Sequence, residues 1–417
     1  MNAYYVLMME NIDEAILNCI EMFIKENPEI YSSEKFIIII FNNVYELLSL
    51  TLSSIMDVNT QHFTDTIYEN IAYYFNIYGI PRSYDNSRIL SVVDADKMEA
   101  KIAYLKNIPQ PEQKSKEWFL DRWTMLTASS IWQALGTQAA QNRLICQKCA
   151  PIDLHKCFRV NINSPMHHGQ KYEPISVMLY ENLYNTSISD FGCLHHQKHS
   201  FIGASPDGIN TKKGNPRYGR MLEIKNIVNR EITGIPKKAY WIQMQIQMEV
   251  WDLPECDFLE TRFKEYESEE EFLKDGGYDC TKIKGVILCF HSRNGPVYKY
   301  PPLLSICEEE KCHQWMDECL ENNKTMTWIR NIYWCLDEHS CVLVPRNKIW
   351  FDNALPQFKK TWETILYERE HGYDHRKAKK RGKKNTVILK VRTESFNETL
   401  IPEEKEGDTI TISQHSN

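Results

Sequence analysis

Gly203-Ala204-Ser205-Pro206-Asp207-Gly208, followed across a short polar span by Leu222-Glu223-Ile224-Lys225-Asn226, is the stretch on which the reading of this chain turns. Phe201–Ala204 has the apolar make-up of a short buried strand, and Pro206 ends it by withdrawing a backbone donor. Asp207 then falls at a bend, released by Gly208. The span Asn210–Arg220 holds Gly214, Pro216 and Gly219 and suits a hairpin loop, after which Met221–Ile227 returns as a strand. Side chains alternate on a strand, so Leu222 and Ile224 point to the core while Glu223 and Lys225 point together to the other side. A carboxylate beside an ammonium, opposite a second carboxylate, suits a hard divalent cation, and Mg²⁺ takes oxygen ligands while keeping waters of its own. Metal coordination makes a bound water more acidic, and a lysine can position or deprotonate that water. An isolated Glu-x-Lys is common in surface hairpins. The upstream Ser-Pro-Asp-Gly lifts this pair above that reading.

Around this stretch three zones can be drawn in the 417 residues: 1–108, a helical accessory domain; 109–370, a mixed α/β domain; and 371–417, a basic then acidic tail. In the first zone helices are expected near Ile12–Ile24, Phe36–Ile55 and Asp65–Tyr78. The apolar run Phe36–Met56 is broken by Asn42, Asn43 and Glu46, which makes it a buried helix rather than a membrane span. Asn107–Ser115 carries two prolines in polar company and reads as a linker. Beyond it, strands are expected at Phe201–Ala204, Met221–Ile227, Gly285–His291 and Val297–Tyr300. Helices are expected at Thr127–Leu135, Tyr172–Leu183, Lys238–Trp251 and Leu355–Tyr367. The run Arg376–Lys384 has seven Lys or Arg among nine residues and reads as a solvated or DNA-contacting arm.

Composition sets few bounds. Hydrophobic residues at 42% and aromatics at 12% supply a sizeable core. The net charge of -7 does not exclude nucleic acid, because a local basic groove around an acidic site is averaged away in the total. Thirteen scattered cysteines and a start without a secretory pattern point to a reducing, intracellular setting and a soluble protein.

Four blocks in order carry a resemblance to a known family. Trp118…Arg122-Trp-Thr-Met-Leu-Thr127-Ala128-Ser129 comes first, then His168-Gly169-Gln-Lys-Tyr172-Glu173-Pro174. The Ser-Pro-Asp-Gly and Leu-Glu-Ile-Lys pair follows, and then Ala239-Tyr240-Trp-Ile-Gln243-Met-Gln245-Ile-Gln247. Together they resemble the lambda exonuclease and YqaJ-like viral recombinase branch of the PD-(D/E)XK nucleases, over roughly Trp118 to Trp251. Trp350-Phe351…Phe358…Trp362 resembles a closing segment of members from large DNA viruses.

The resemblance implies a restriction-endonuclease-like α/β core, a central mixed sheet flanked by helices, behind the N-terminal helical domain. It implies Asp207 and Glu223 as metal ligands with the carbonyl of Ile224, Lys225 on the attacking water, and Glu173 completing the metal site. The bland reading of Glu173 is a carboxylate at a helix N-terminus. Arg122 and Ser129 would grip a phosphate, although Ser129 also suits a helix N-cap. Gln243 matches the family's active-site glutamine. On a helix Gln243 shares a face with Gln247, and Gln245 with Glu249, so only the first pair should approach the site; Tyr240, Met244, Met248 and Trp251 should form the core stripe. The implied activity is Mg²⁺-dependent (Mn²⁺ as alternative) 5′→3′ digestion of duplex DNA ends, in viral recombination, replication or repair. Double-stranded DNA with free ends, a single-strand-annealing protein and further copies of the chain are the expected partners, in host cytoplasm or nucleus. An endonuclease on DNA or RNA using the same metal site, or a non-catalytic relative, are the rivals.

One departure concerns a second metal. An acidic residue that the family carries upstream of the Ser-Pro-Asp aspartate is absent; Gln197 stands there, flanked by His196 and His199, which read as surface histidines. Cys146-x-x-Cys149 with His155 and Cys157 has only partial zinc-ligand spacing and is discounted.

Overall fold

The computed structural model describes residues 3–27, 36–53, 56–78, 83–85, 95–113, 115–153, 161–162, 164–279, 281–292, 295–303 and 308–377. Three helices come first: α1 (Ala3–Glu26), α2 (Phe36–Leu52) and α3 (Gln61–Tyr78). They bury Ile16, Ile20, Ile40, Val44, Phe63 and Ile67 against one another in a core of their own. After a short strand β1 (Tyr84–Asp85), α4 (Ala95–Asn107) buries Met98, Ile102 and Leu105 in a different and larger core, shared with Leu126, Trp251 and Phe358.

The chain continues with α5 (Lys116–Trp123), β2 (Leu126–Thr127), α6 (Ala128–Ile131) and α7 (Gln138–Cys149). Helix α8 (Pro165–Leu183) begins at Pro165 rather than at the expected Tyr172. Ser164 caps it by accepting from the His167 amide at 3.1 Å, and proline is pre-formed for the first helical position. Then come β3 (Ile188–Ser189), β4 (Leu194–His195), β5 (Ile202–Ala204), β6 (Gly208–Asn210) and β7 (Met221–Asn226). Helix α9 (Lys238–Trp251) is the crossover to β8 (Glu255–Glu265), which pairs parallel with β7. The rest is α10 (Glu269–Lys274), β9 (Lys284–Ser292), β10 (Gly295–Lys299), α11 (Glu309–Asn322), β11 (Thr327–Pro345) and α12 (Lys348–His371).

The main sheet runs β10-β9-β11-β8-β7-β6-β3, with β1 added on β11. Its β7–β8 pair is parallel and its other neighbours are antiparallel, so the sheet is mixed. A smaller sheet, β2-β5-β4, lies apart. The alternation expected for β7 is present. Leu222 and Ile224 pack with Tyr180 of α8, while Met221 packs with Trp241, Ile242 and Met244 of α9. Helices therefore cover both faces of the central strand, as expected for this fold class. Neither β8 nor the nineteen-residue β11 is among the expected strands.

Ser205-Pro206-Asp207 is where the backbone leaves β5 in the small sheet and enters β6 in the large one. Its turn chemistry works as the sequence implies: β6 and β7 form an antiparallel hairpin, and Gly214 and Gly219 take positive φ in its loop. Among the described residues no helix is long and apolar enough to cross a membrane. The basic run beyond Lys377, the tail, Cys157 and His155 lie outside the described residues.

Candidate active site

The centre is built on β7. Glu223 is fully buried, and its carboxylate is held on both oxygens. Oε1 accepts from the Lys225 ammonium and from Gln243 Nε2 at 2.6 Å, and Oε2 accepts from Gln247 Nε2 at 2.7 Å. The two glutamines sit one turn apart on α9 and face β7 together, as their spacing implies. Gln247 also donates to the Ser205 carbonyl at 2.9 Å, which ties α9 to the crossing that carries Asp207. Gln245 and Glu249, on another face, turn to the start of α12: Gln245 Oε1 accepts from the Asn347 amide and Glu249 pairs with Arg346.

Asp207 is half-buried, and its Oδ2 accepts from the Ile224 amide at 2.7 Å. The structure thus engages Ile224 through its N–H, not through the carbonyl expected to serve as a ligand. Burial, then repulsion from Glu223 and Glu173, pushes the Asp207 carboxyl well above its ordinary range. Burial opposes the charge on Lys225, but the neighbouring Glu223 and Asp207 outweigh it and hold the ammonium more tightly protonated than usual. The ring of Tyr240 lies 5.1 Å from that ammonium and 5.5 Å from Arg230, so Tyr240 borders the site as well as packing on the core stripe formed by Met244, Met248 and Trp251.

Glu173 approaches from α8, on the opposite face of β7. It stands in the middle of that helix, directly before Pro174, and not at the N-terminus. The helix-terminus reading of this residue is therefore corrected. Lys225, Glu223, Asp207 and Gln243 are brought together, and Glu173 acts on them through its repulsion of the Asp207 carboxyl. Arg122 and Ser129 are not joined to them by any hydrogen bond or ion pair among the described residues. The Arg122 guanidinium lies 4.4 Å from the Trp118 ring beside Cys193, and Ser129 is exposed on α6, which packs against α9.

His196 is buried, not a surface histidine: its Nδ1 accepts from the Lys198 and His199 amides and its Nε2 faces Glu249 at 3.6 Å. Both ring nitrogens are engaged, so it offers no substitute for the absent upstream acid. Cys149 is buried with its thiol pushed up to about 11 by burial, and its Sγ points to the Ile365 carbonyl. The sequence alone shows no sign of Asn226, Ser176 and Thr261, which link α8 to β7 and β8 through side-chain hydrogen bonds.

Among the described residues no group of three or more His, Cys, Asp or Glu is arranged as a ligand set, and both Glu223 oxygens are engaged by Lys225, Gln243 and Gln247. The donor chemistry nonetheless fits a hard divalent cation. Asp207 and Glu223 flank one ammonium, and burial, then repulsion from Glu223 and Glu173, raises the Asp207 carboxyl, a charge that an oxygen-bound divalent cation would offset.

Fold and site together define the class: a mixed α/β domain with a buried carboxylate–lysine centre at the end of its central parallel strand pair. Residues 117–254, 138 of the 417, match the family model of the YqaJ-like viral recombinase domain. The match bears out the resemblance read from the four blocks and encloses all of them. An uncharacterized protein of Acanthamoeba polyphaga mimivirus is 34% identical over 307 residues, covering 64% of this chain and 55% of that protein. The chain spans about half the length of this curated relative. Among solved structures, an alkaline exonuclease from Laribacter hongkongensis superposes with a TM-score of 0.33 at 19% identity, over 63% of this chain and 95% of that one. Its complex with dAMP gives the same score at 18% identity.

Proposed function

We propose that this chain is a metal-dependent deoxyribonuclease that digests duplex DNA from its ends, 5′→3′, in viral DNA recombination, replication or repair. The observation that carries the proposal is the buried Glu223 carboxylate, clasped by Lys225, Gln243 and Gln247 beside Asp207. A buried carboxylate beside a lysine and a second acid of raised pKa is the arrangement found at functional sites, which supports a chemical role. The recombinase-domain match and the mimivirus relative support the DNA and viral parts of the reading.

Asp207, Glu223 and Glu173 would hold Mg²⁺, or Mn²⁺ in its place, with the Ile224 carbonyl as a further oxygen. When bound, the metal would acidify a water and neutralise charge developing on the phosphate oxygens. Lys225, held as an ammonium, orients the water and stabilises negative charge rather than taking a proton from it. Gln243 and Gln247 fix the Glu223 carboxylate plane. Arg122 and Ser129 would receive a terminal 5′-phosphate, the arginine as a planar fork of donors. A single-strand-annealing protein and self-assembly into an oligomer complete the proposed setting.

The test is a time course on linear duplex with 5′-phosphate or 5′-hydroxyl ends and on closed circles, with Mg²⁺, against Lys225→Ala. Digestion of linear ends alone, faster with 5′-phosphate and lost in the variant, supports the proposal. Nicked circles would make it an endonuclease, and no cleavage with Mg²⁺ or Mn²⁺ would remove the enzyme.

A further inference from the structure

Strand alternation puts Asn226 on the face of Leu222 and Ile224, beneath α8, where the pattern calls for an apolar side chain. Its Oδ1 accepts from Ser176 Oγ at 2.7 Å and from Thr261 Oγ1 at 2.6 Å, and both hydroxyl residues are wholly buried. Its Nδ2 donates to the Gly169 carbonyl at 2.8 Å. Gly169 stands one helical turn before Glu173. Pro174, next to Glu173, brings no N–H and crowds the carbonyl one turn back, so the α8 ladder is thinnest where Glu173 projects. A second donor from outside the helix serves the same turn: Tyr300 Oη bonds the Lys171 carbonyl at 2.7 Å.

We infer that Asn226 is a positioning residue: through Gly169 it fixes the turn of α8 that leads into Pro174, and so sets Glu173 against the centre that Glu223 and Lys225 form on the same strand. The inference rests on the nuclease reading above for what Glu173 does. Ser176 and Thr261 orient the amide by bonding its oxygen, which leaves its N–H₂ aimed at the helix. An amide that makes three hydrogen bonds to two neighbouring elements specifies one helix register, which an apolar contact in its place would not.

Four proteins decide it: wild type, Asn226→Ala, Glu173→Gln and the double variant, each measured for kcat, KM for linear duplex and Mn²⁺ affinity by calorimetry. A misplacement on the ångström scale predicts a kcat loss on the order of 10- to 100-fold in Asn226→Ala with KM unchanged. In the Glu173→Gln background the same substitution should change kcat by less than about threefold, since interaction through one residue is non-additive. An equal loss in both backgrounds, or an unchanged kcat, overturns the inference. Should Asn226→Ala not fold, the triple variant Asn226→Leu/Ser176→Ala/Thr261→Val replaces the network by apolar groups of similar shape, which is close to neutral for stability. Wild-type Tm with lost kcat supports the inference, and wild-type kcat overturns it. If the wild type cleaves no DNA, the nuclease reading fails and Mn²⁺ affinity decides the clamp. Weakening in both single variants supports it; weakening only in Glu173→Gln, or no Mn²⁺ binding by the wild type, overturns it.

Discussion

Gln247 donates to Glu223 at 2.7 Å with both side chains sealed from solvent, so the buried acid is held by a side-chain amide of α9 as well as by its lysine. Gln247→Leu keeps the volume and removes the donor, leaving one oxygen of a buried carboxylate without its partner. The expected cost is about 1–3 kcal/mol in urea unfolding. A change below about 0.5 kcal/mol, the range of an ordinary surface substitution, would show that Glu223 does not need this bond.

Asp207 should give metal-free protein a characteristic pH dependence. Its folded pKa is raised by burial and by Glu223 and Glu173, so the folded state binds a proton that the unfolded state has already lost. Stability from this group is complete below the unfolded pKa and is lost as pH rises through the folded one. Without metal, wild type should therefore lose stability relative to Asp207→Asn as pH rises from about 4, the ordinary aspartate value, towards neutral. Saturating Mg²⁺ at about 100 times its Kd should restore about 2.7 kcal/mol to wild type and nothing to the variant. Parallel pH curves for the two metal-free proteins, or equal Mg²⁺ shifts, would sink the assignment.

The pieces legible in the sequence are those whose signals are local. The alternation of Met221–Asn226, the glycines of the Asn210–Arg220 loop and the four-residue spacing of Gln243 and Gln247 each state a geometry that the fold adopts. Strand β8 was hidden because its charges are answered from afar. Asp257 is wholly buried, but its partners Arg217, Arg220 and Tyr180 lie outside the strand, so the run reads as polar. Strand β11 opens with four exposed residues and pairs along its length with three strands, β9, β8 and β1, which blurs any period. Asn226 is invisible for the same reason: its partners Gly169, Ser176 and Thr261 come from two other elements.

Gly203, inside the stretch that first identifies the fold, allows a close approach. A Cβ there would stand 1.9 Å from Met125 Sδ and 3.0 Å from the Leu194 carbonyl. The methionine can bend but the backbone carbonyl cannot, so Gly203→Ala must displace β5 from β4. Overpacking of this kind costs about 1–3 kcal/mol. Thermal melts should show it, and because β5 leads directly to Asp207, Mn²⁺ affinity should fall with it. Unchanged melting would mean that Met125 alone absorbs the methyl.

Lys148 offers the sharpest pH test away from the centre. It is buried, its Nζ donates to the Arg122 carbonyl at 2.6 Å, and burial with Arg122 and Arg369 nearby pushes it down to about 7. Arg369 adds to this positive cluster by stacking 3.6 Å from the Trp123 ring and bonding the Lys148 carbonyl. Between about 7 and the ordinary 10.5 the unfolded chain holds a proton that the fold has given up, so stability from this group is complete above the unfolded pKa and is lost as pH falls through the folded one. The full shift corresponds to roughly 5 kcal/mol at most, at about 1.4 kcal/mol per unit. Lys148→Met removes that penalty but leaves the Arg122 carbonyl short of a donor, worth about 1 kcal/mol. The variant should therefore be more stable than wild type by about 2–4 kcal/mol at pH 6, and the gain should shrink with rising pH and reverse near pH 10. Urea midpoints at pH 6, 8 and 10 read this directly. A gain of the same size at all three values would mean that Lys148 does not change its charge in the fold, and that the Arg122 cluster carries three positive charges throughout.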